Sequence, residues 1–279
     1  MNEVTPVIQI VSGDLRLNES VISKIIRTNL TEDFLSNNRS GLYSATQKLM
    51  AYNSNRIEGS TLTSEQTASL FDTGTLTSNG IEVYHAKDIE EMTGHFKMFN
   101  EMLKRIREPL SIELIKSYHY QLKSGVFEDT LNGYPVGEFK NRANIVSDIK
   151  TTKPAEVRQQ LESLIDKYNS SNKTLMDIAH FHAEYEKIHP FQDGNGRTGR
   201  MIMVKQCFEA GLVPVIIRDD NKLLYSRALH AAQTEDRFEA LVELFAKSRY
   251  EYFRSIEDFV YDYIPLLETT YDKGIDINK

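Results

Sequence analysis

The sequence is short of several things, and each shortage removes a class of protein. It has a single cysteine, Cys207, so no disulfide can form within the chain. That thiol falls in an apolar helical stretch and is expected in the core. No run approaches the ~20 apolar residues of a membrane-spanning helix. The start, with Glu3 and no long apolar run, lacks the marks of a signal peptide, so a cytoplasmic location without membrane contact is expected. Basic residues are outnumbered, 33 Lys and Arg against 40 Asp and Glu, for a net charge of −7. That balance argues against a nucleic-acid-binding surface, which is normally basic. No linker-like tract separates independent domains, and no internal repeat is present. There is no Walker P-loop and no serine or cysteine triad signature. What remains, 40% hydrophobic and 26% charged, is an ordinary globular composition.

The densest chemistry lies in one stretch, His189-Pro190-Phe191-Gln192-Asp193-Gly194-Asn195-Gly196-Arg197-Thr198-Gly199-Arg200. The residues before it read as a helix from Thr174 to Ile188. Leu175, Ile178, Phe181, Tyr185 and Ile188 step by three or four, and Thr174 with Asp177 supplies a capping-box start. After the glycines, Met201, Val204 and Phe208 continue a helical step while Ile202, Met203 and Cys207 fill the other faces, which describes a buried helix ended by Gly211. Gly194-Asn195-Gly196 is therefore a turn feeding a buried helix N-terminus, whose free N–H groups and positive dipole end make an anion site. Arg197 and Arg200, three apart, share a face of the first turn, and two cations there suggest more than one phosphate. Asp193 could hold Mg²⁺ between those phosphates. His189, one loop length away, could take a proton from an attacking hydroxyl.

Two other motif readings fail on context. Gly194 to Gly199 formally satisfies Gly-x-Gly-x-x-Gly, with Asp219 at about the spacing of a ribose-binding acid. A dinucleotide fold needs a strand before the first glycine, and an amphipathic helix stands there instead. A metal-hydrolase site from His180, His182, His189 and Asp193 is blocked because helical residues two apart point ~200° from each other. His182 is better read as a structural support.

The central stretch matches the Fic-family pattern His-x-Phe-x-(Asp/Glu)-Gly-Asn-Gly-Arg-x-x-Arg at every fixed position. The resemblance reaches roughly residues 40 to 250. Ser54-Asn55-Arg56-Ile57-Glu58-Gly59 looks like the family's inhibitory motif, (Ser/Thr)-x-x-x-Glu-(Gly/Asn), and the segment from Gly137-Glu138-Phe139-Lys140 onward resembles its substrate-binding flap. The resemblance implies a mainly α fold, a Fic-type helical bundle with a small β-hairpin flap. It implies a protein adenylyltransferase moving AMP from ATP to a Ser, Thr or Tyr hydroxyl of a target protein, which would dock along the flap near residues 138–154. His189 would be the base, and Asp193 would bind Mg²⁺. Gly194, Asn195 and Gly196 would serve the phosphates with N–H groups and the Asn amide, and Arg197 and Arg200 would hold the outer phosphates. Tyr225 would lie near the adenine. Glu58, whose carboxylate opposes the negative end of its own helix dipole, would pair with Arg200 and block productive ATP binding, with Ser54 anchoring the same helix. Gly196 is similar to the adenylyltransferases rather than to Doc-type kinases, which tend to carry Lys there, and an alanine at the place of Gly194 would have suggested phosphocholine transfer. Removal of AMP from a modified protein is the alternative chemistry, and a non-catalytic regulatory or binding protein the alternative class. A homodimer is left open.

In chain order, residues 1–40 read as an N-terminal extension, with a strand over Val7–Val11 and a helix over Ser20–Asn29. Residues 41–110 read as a helical region with the inhibitory motif, 111–250 as the Fic core and 251–279 as a last helix and tail. Helices are expected over 41–58, from Thr63 to near Gly74, and over Glu82–Ile106, Ile112–Leu122 and Pro154–Tyr168. A loop is expected over 75–81. Residues 125–154 break the helical rhythm, with Ile145–Lys150 the strand candidate, and Leu212–Ile217 reads as extended. Asp219–Ala232 contains Tyr225, and the aromatic stripe of Leu241–Phe259 reads as core, with Pro265 closing the fold.

Overall fold

Helix starts follow local chemistry. Thr174 and Asp177 form a reciprocal capping box ahead of Leu175, and Thr63 and Gln66 form another ahead of Ser64. These belong to a computed structural model of the chain that describes residues 7–12, 15–76, 83–146 and 149–271. The elements are β1 (Ile10–Ser12), β2 (Leu15–Leu17), α1 (Glu19–Leu35), α2 (Leu42–Ile57), α3 (Ser64–Thr73), α4 (Ala86–Lys104), α5 (Ile112–Lys123), α6 (Phe127–Leu131), β3 (Ile145–Val146), β4 (Ile149–Lys150), α7 (Val157–Asn169), α8 (Leu175–Ile188), α9 (Asn195–Glu209), α10 (Lys222–Glu235) and α11 (Glu239–Tyr271). The fold is mainly α, as expected. β1–β2 pair antiparallel with Val11 opposite Arg16, and β3–β4 with Val146 opposite Ile149.

The axis of the bundle is α9. Helices α1, α2, α4, α5 and α8 all pack on it, and Met201, Ile202, Met203, Val204, Cys207 and Phe208 are buried around its circumference. Cys207 is therefore core. Even Lys205 is buried; its ammonium pairs with Glu209 one turn on and reaches the Ile106 carbonyl at 3.4 Å. A second layer forms outside, with α7, α10 and α11 on α8 and α11 reaching back over α1 and α2. Ile22, Ile26 and Leu30 of α1 are wholly buried in the same core, so the N-terminal extension packs as part of the bundle.

The departures from the sequence expectations are local. The first strand is shorter and later, and its partner β2 was not foreseen; three-residue strands carry too little alternation to read. α1 runs six residues past Asn29 to Leu35, and α4 begins at Ala86 rather than Glu82. Residues 77–81 of the expected loop, and the expected helix start at residue 82, lie outside the described residues. The segment 125–154 contains the short helix α6, and Ile145–Lys150 is a hairpin of two two-residue strands rather than one strand. Leu212–Ile217 has no strand partner, although Val213, Val215, Ile216 and Ile217 are buried. α11 continues through Pro265 to Tyr271. Tyr252, Phe253, Ile256, Val260 and Ile264 seat it on the bundle up to the proline, and that packing carries the helix across the lost backbone bond.

α4 and α5 approach so closely at Gly94 that a Cβ there would overlap the Leu122 carbonyl oxygen, a backbone atom that cannot swing away. Gly94→Ala is expected to destabilise the chain by roughly 2–3 kcal/mol. Gly125→Ala, at a position open on all sides, should stay within about 0.5 kcal/mol. Urea unfolding of the two variants checks this.

Candidate active site

The loop between α8 and α9 is held by its own backbone geometry. His189 caps α8 at φ 51°, ψ 63°, left-handed for a non-glycine residue, with its N–H bonded to the Tyr185 carbonyl. Such a conformation costs roughly 1–2 kcal/mol and turns the imidazole back over the last helical turn. There Nδ1 lies 3.3 Å from the Glu186 carbonyl oxygen. A carbonyl only accepts, so the proton sits on Nδ1 and the lone pair on Nε2. Burial, reinforced by Lys140, lowers the imidazole pKa to about 4, so the ring is neutral near pH 7.

Phe191 is fully buried and stacks on His119 with ring centres 3.8 Å apart. His119 Nδ1 accepts the Gly137 N–H at 3.0 Å and Nε2 donates to the Asp193 carbonyl, also at 3.0 Å. One histidine thus ties the loop to the entrance of the flap. Lys140 makes a second tie. Its N–H bonds the Pro190 carbonyl, and its ammonium bonds Asn144 and Thr151 and reaches the Ile188 carbonyl. Asn195 brackets the loop from inside, accepting from Phe191 N–H and donating to Phe191 carbonyl at 2.8 and 2.9 Å. With its amide used at both ends, Asn195 braces the turn, and anion contacts fall to the free N–H groups of the first turn of α9.

A chain of buried charges lies under this turn. Arg197 forks onto Glu91 of α4 at 2.5 and 3.0 Å and bonds Asn55 of α2 at 3.3 Å. Lys123 of α5, only 1% exposed, contacts Glu91 at 2.6 Å, Asp129 at 3.0 Å and Asp193 at 2.7 Å. Burial raises the Asp193 carboxyl, but Lys123 and Arg197 outweigh it and hold the group well below the usual carboxylate range. Arg200 donates Nε to the Ser54 hydroxyl at 3.0 Å, and Nη2 to the Ser54 carbonyl at 2.9 Å and to Glu58 at 2.7 Å. Burial works against the Glu58 carboxylate, and Arg200 and Arg197 together still keep its pKa below the ordinary value. Glu58 sits so close over α9 that a Cβ at Gly196 would overlap its carboxylate. A negative group therefore sits at the N-terminal end of α9.

His182 is a support, as expected: its Nε2 lies 2.7 Å from the Tyr225 hydroxyl. Tyr225 is 5% exposed beside Arg200, with its hydroxyl engaged there, so its place is behind the arginine rather than on an open face. Glu91, His119, Lys123, Asp129 and Glu186 were not legible as site residues, since each joins through a contact far away in sequence or a buried carboxyl on a helix. No group of three or more His, Cys, Asp or Glu able to hold a metal occurs among the described residues. The donor set therefore does not suit a resident metal. A single ionised, one-third-exposed carboxylate, Asp193, suits Mg²⁺ arriving with phosphates.

Residues 109–207, which span α5 to α9, match the Fic/DOC family. These residues are a Fic/DOC domain. A protein adenylyltransferase fic-1 from Caenorhabditis briggsae is 27% identical over 197 residues, covering 67% of this chain and 37% of the relative. A protein adenylyltransferase Fic from Drosophila willistoni is 30% identical over 189 residues, covering 66% and 36%. The chain thus matches little more than a third of the length of these curated relatives. In fold, the chain is similar to a Fic domain containing signaling protein from Bacteroides thetaiotaomicron (TM-score 0.61, 23% identity, 94% of this chain and 99% of that one). It is also similar to Fic-1 from C. elegans (TM-score 0.61, 21% identity, 90% and 74%).

The Fic domain and its partner helix bury four neutral histidines. Burial lowers His95, His119 and His182 to about 3 and His189 to about 4. The unfolded chain protonates them near 6.5, so stability is full above that pH and falls as the pH drops toward 4. Each proton held off costs about 1.4 kcal/mol per pH unit; Glu186, raised to about 8, offsets one of the four. Urea midpoints should therefore drop steeply between pH 7 and pH 5.5, and a flat profile would contradict the burial of these rings.

Proposed function

We propose that this chain is a protein adenylyltransferase held shut by Glu58. The observation that carries the reading is the Glu58 carboxylate on Arg200 and over Gly196, occupying the anion site at the head of α9. A carboxylate there is a stand-in for a phosphate oxygen. The Arg200 guanidinium that holds it, with the free N–H groups of the first turn of α9 beside it, would hold the outer phosphates of ATP once it leaves. Arg197, committed to Glu91, adds its charge from behind, as it already does on Glu58.

When α2 shifts, Arg200 becomes the phosphate clamp. Asp193 would hold Mg²⁺, which supplies charge neutralisation across the phosphates. His189, neutral with its lone pair on Nε2, accepts the proton of a target hydroxyl, and the hydroxyl oxygen takes the AMP moiety while pyrophosphate leaves. Protein hydroxyls enter along β3–β4, whose outer residue Ile145 is 67% exposed; a target segment added to that hairpin edge by main-chain bonds comes past Lys140 toward His189.

The test is labelling with α-³²P-ATP and Mg²⁺ of the wild type, Glu58→Gly and Glu58→Gly/His189→Ala. Glu58→Gly is expected to label at least ~10-fold more than wild type, the size of an ordinary coupling energy between competing ligands, and the double variant not at all. Equal labelling of wild type and Glu58→Gly removes the inhibitory role of Glu58. Labelling that survives His189→Ala removes the base.

A further inference from the structure

Glu186 is a buried carboxyl that the site described so far does not use. It lies on the last turn of α8, and its Oε1 accepts no hydrogen bond, a condition that destabilises a buried polar group unless something compensates. Its other oxygen, Oε2, is 4.0 Å from His189 Nδ1. The space it fills is made for it by α9: a Cβ at Gly199 would lie 2.5 Å from Oε1. The charged groups facing Glu186 are Arg200 from α9 and Glu58 from the end of α2. Those acting on His189 are Lys140, Glu58 and Asp193. Arg200 directs its Nε and Nη2 donors to Ser54 and Glu58 rather than to Glu186.

We infer that Glu186 is the positioning residue of His189: its backbone carbonyl sets the imidazole tautomer, and its carboxylate steadies the imidazolium formed in the transfer. The inference rests on the adenylyltransferase reading for its chemistry. As the target hydroxyl oxygen bonds to Pα, its proton passes to His189 Nε2. The Pα–O bond to the β-phosphate breaks, and pyrophosphate departs with the electron pair. The ring then carries N–H on both nitrogens, and Nδ1–H faces Glu186, as in histidine bases backed by a carboxylate. In the closed state burial, opposed by Arg200 and aided by Glu58, pushes the Glu186 carboxyl up to about 8. Burial is the main cause, and withdrawal of Glu58 removes only the smaller charge repulsion that adds to it while uncovering Arg200.

The experiment compares Glu58→Gly with Glu58→Gly/Glu186→Gln, an exchange that keeps side-chain volume. Two readouts are taken: the pH profile of kcat and KM for ATP, and the titration of His189 followed by NMR on ¹⁵N-histidine-labelled protein without nucleotide. Expected are a fall in kcat of roughly tenfold or more, part of what general-base catalysis contributes, and little change in KM. The acidic limb of kcat and the NMR midpoint should both move to lower pH. Gly199→Ala in the same background, which displaces the carboxyl without removing it, should move the midpoint in the same direction. An unmoved midpoint in both variants overturns the inference, as does a loss of rate with an unmoved acidic limb. If Glu58→Gly itself fails to label, the adenylyltransferase reading falls, while the NMR titration still decides whether Glu186 supports His189.

Discussion

Everything in this bundle accommodates one constraint: the N-terminus of its central helix is positive and buried. The first two turns of α9 carry free N–H groups, Arg197 and Arg200, with Lys123 beneath, and none of these cations is more than 4% exposed. Buried charge persists only when paired and hydrogen-bonded. The pairing is supplied by carboxylates from four separate elements, Glu91 from α4, Asp129 from α6, Asp193 from the loop and Glu58 from the end of α2. These partners are not equivalent. Glu91 and Asp129 are enclosed, whereas Glu58 follows the last turn of α2, leads into Gly59 at φ 101° and is one-third exposed. Asp193 is as exposed but is held by both Lys123 and the Gly194 N–H, which leaves Glu58 the partner best placed to exchange for another anion.

Exchange has a thermodynamic consequence. Withdrawing Glu58 would leave the buried Arg200 guanidinium without its carboxylate, a penalty smaller than that of a fully enclosed pair because Glu58 is one-third exposed. If an anion replaces Glu58, its binding and the release of α2 are one equilibrium. The end of α2 is also tied through Asn53, which accepts the Asp219 N–H at 2.9 Å, and through Arg56, 3.5 Å from the Asp219 carboxylate. The contacts that hold the end of α2 are thus spread from Asn53 to Glu58.

The loop between α8 and α9 is tightly held by comparison. His119 against Phe191, Asn195 around the Phe191 backbone and Lys140 on the Ile188 and Pro190 carbonyls leave little freedom between the flap and His189. The left-handed backbone of His189 is held by this surrounding structure, which is how strain persists at functional positions.

Much of the site was legible because its signals are local. Capping boxes at Thr63 and Thr174 and the glycines at 74, 194 and 211 act within a few residues, so the chain order alone determined where α3, α8 and α9 begin or end. The density of His189, Asp193, Gly194, Gly196, Arg197 and Arg200 in a dozen positions pointed to a candidate anion site in the same way. The pairing of Glu58 with Arg200 came from the family pattern rather than from spacing. Tertiary structure alone decided the rest. Glu91 and Lys123 read as ordinary members of amphipathic helices until α4 and α5 close on each other at Gly94 and bring both to Arg197 and Asp193. Glu186 reads as a surface glutamate until the turn at His189 folds the imidazole back toward it. Asn195 and Tyr225, expected at the nucleotide, have their polar groups engaged inside the protein. A helix cap is set by neighbours along the chain, but the partner of a buried charge is set by whichever distant group the packing brings within hydrogen-bond reach, and no local pattern encodes that distance.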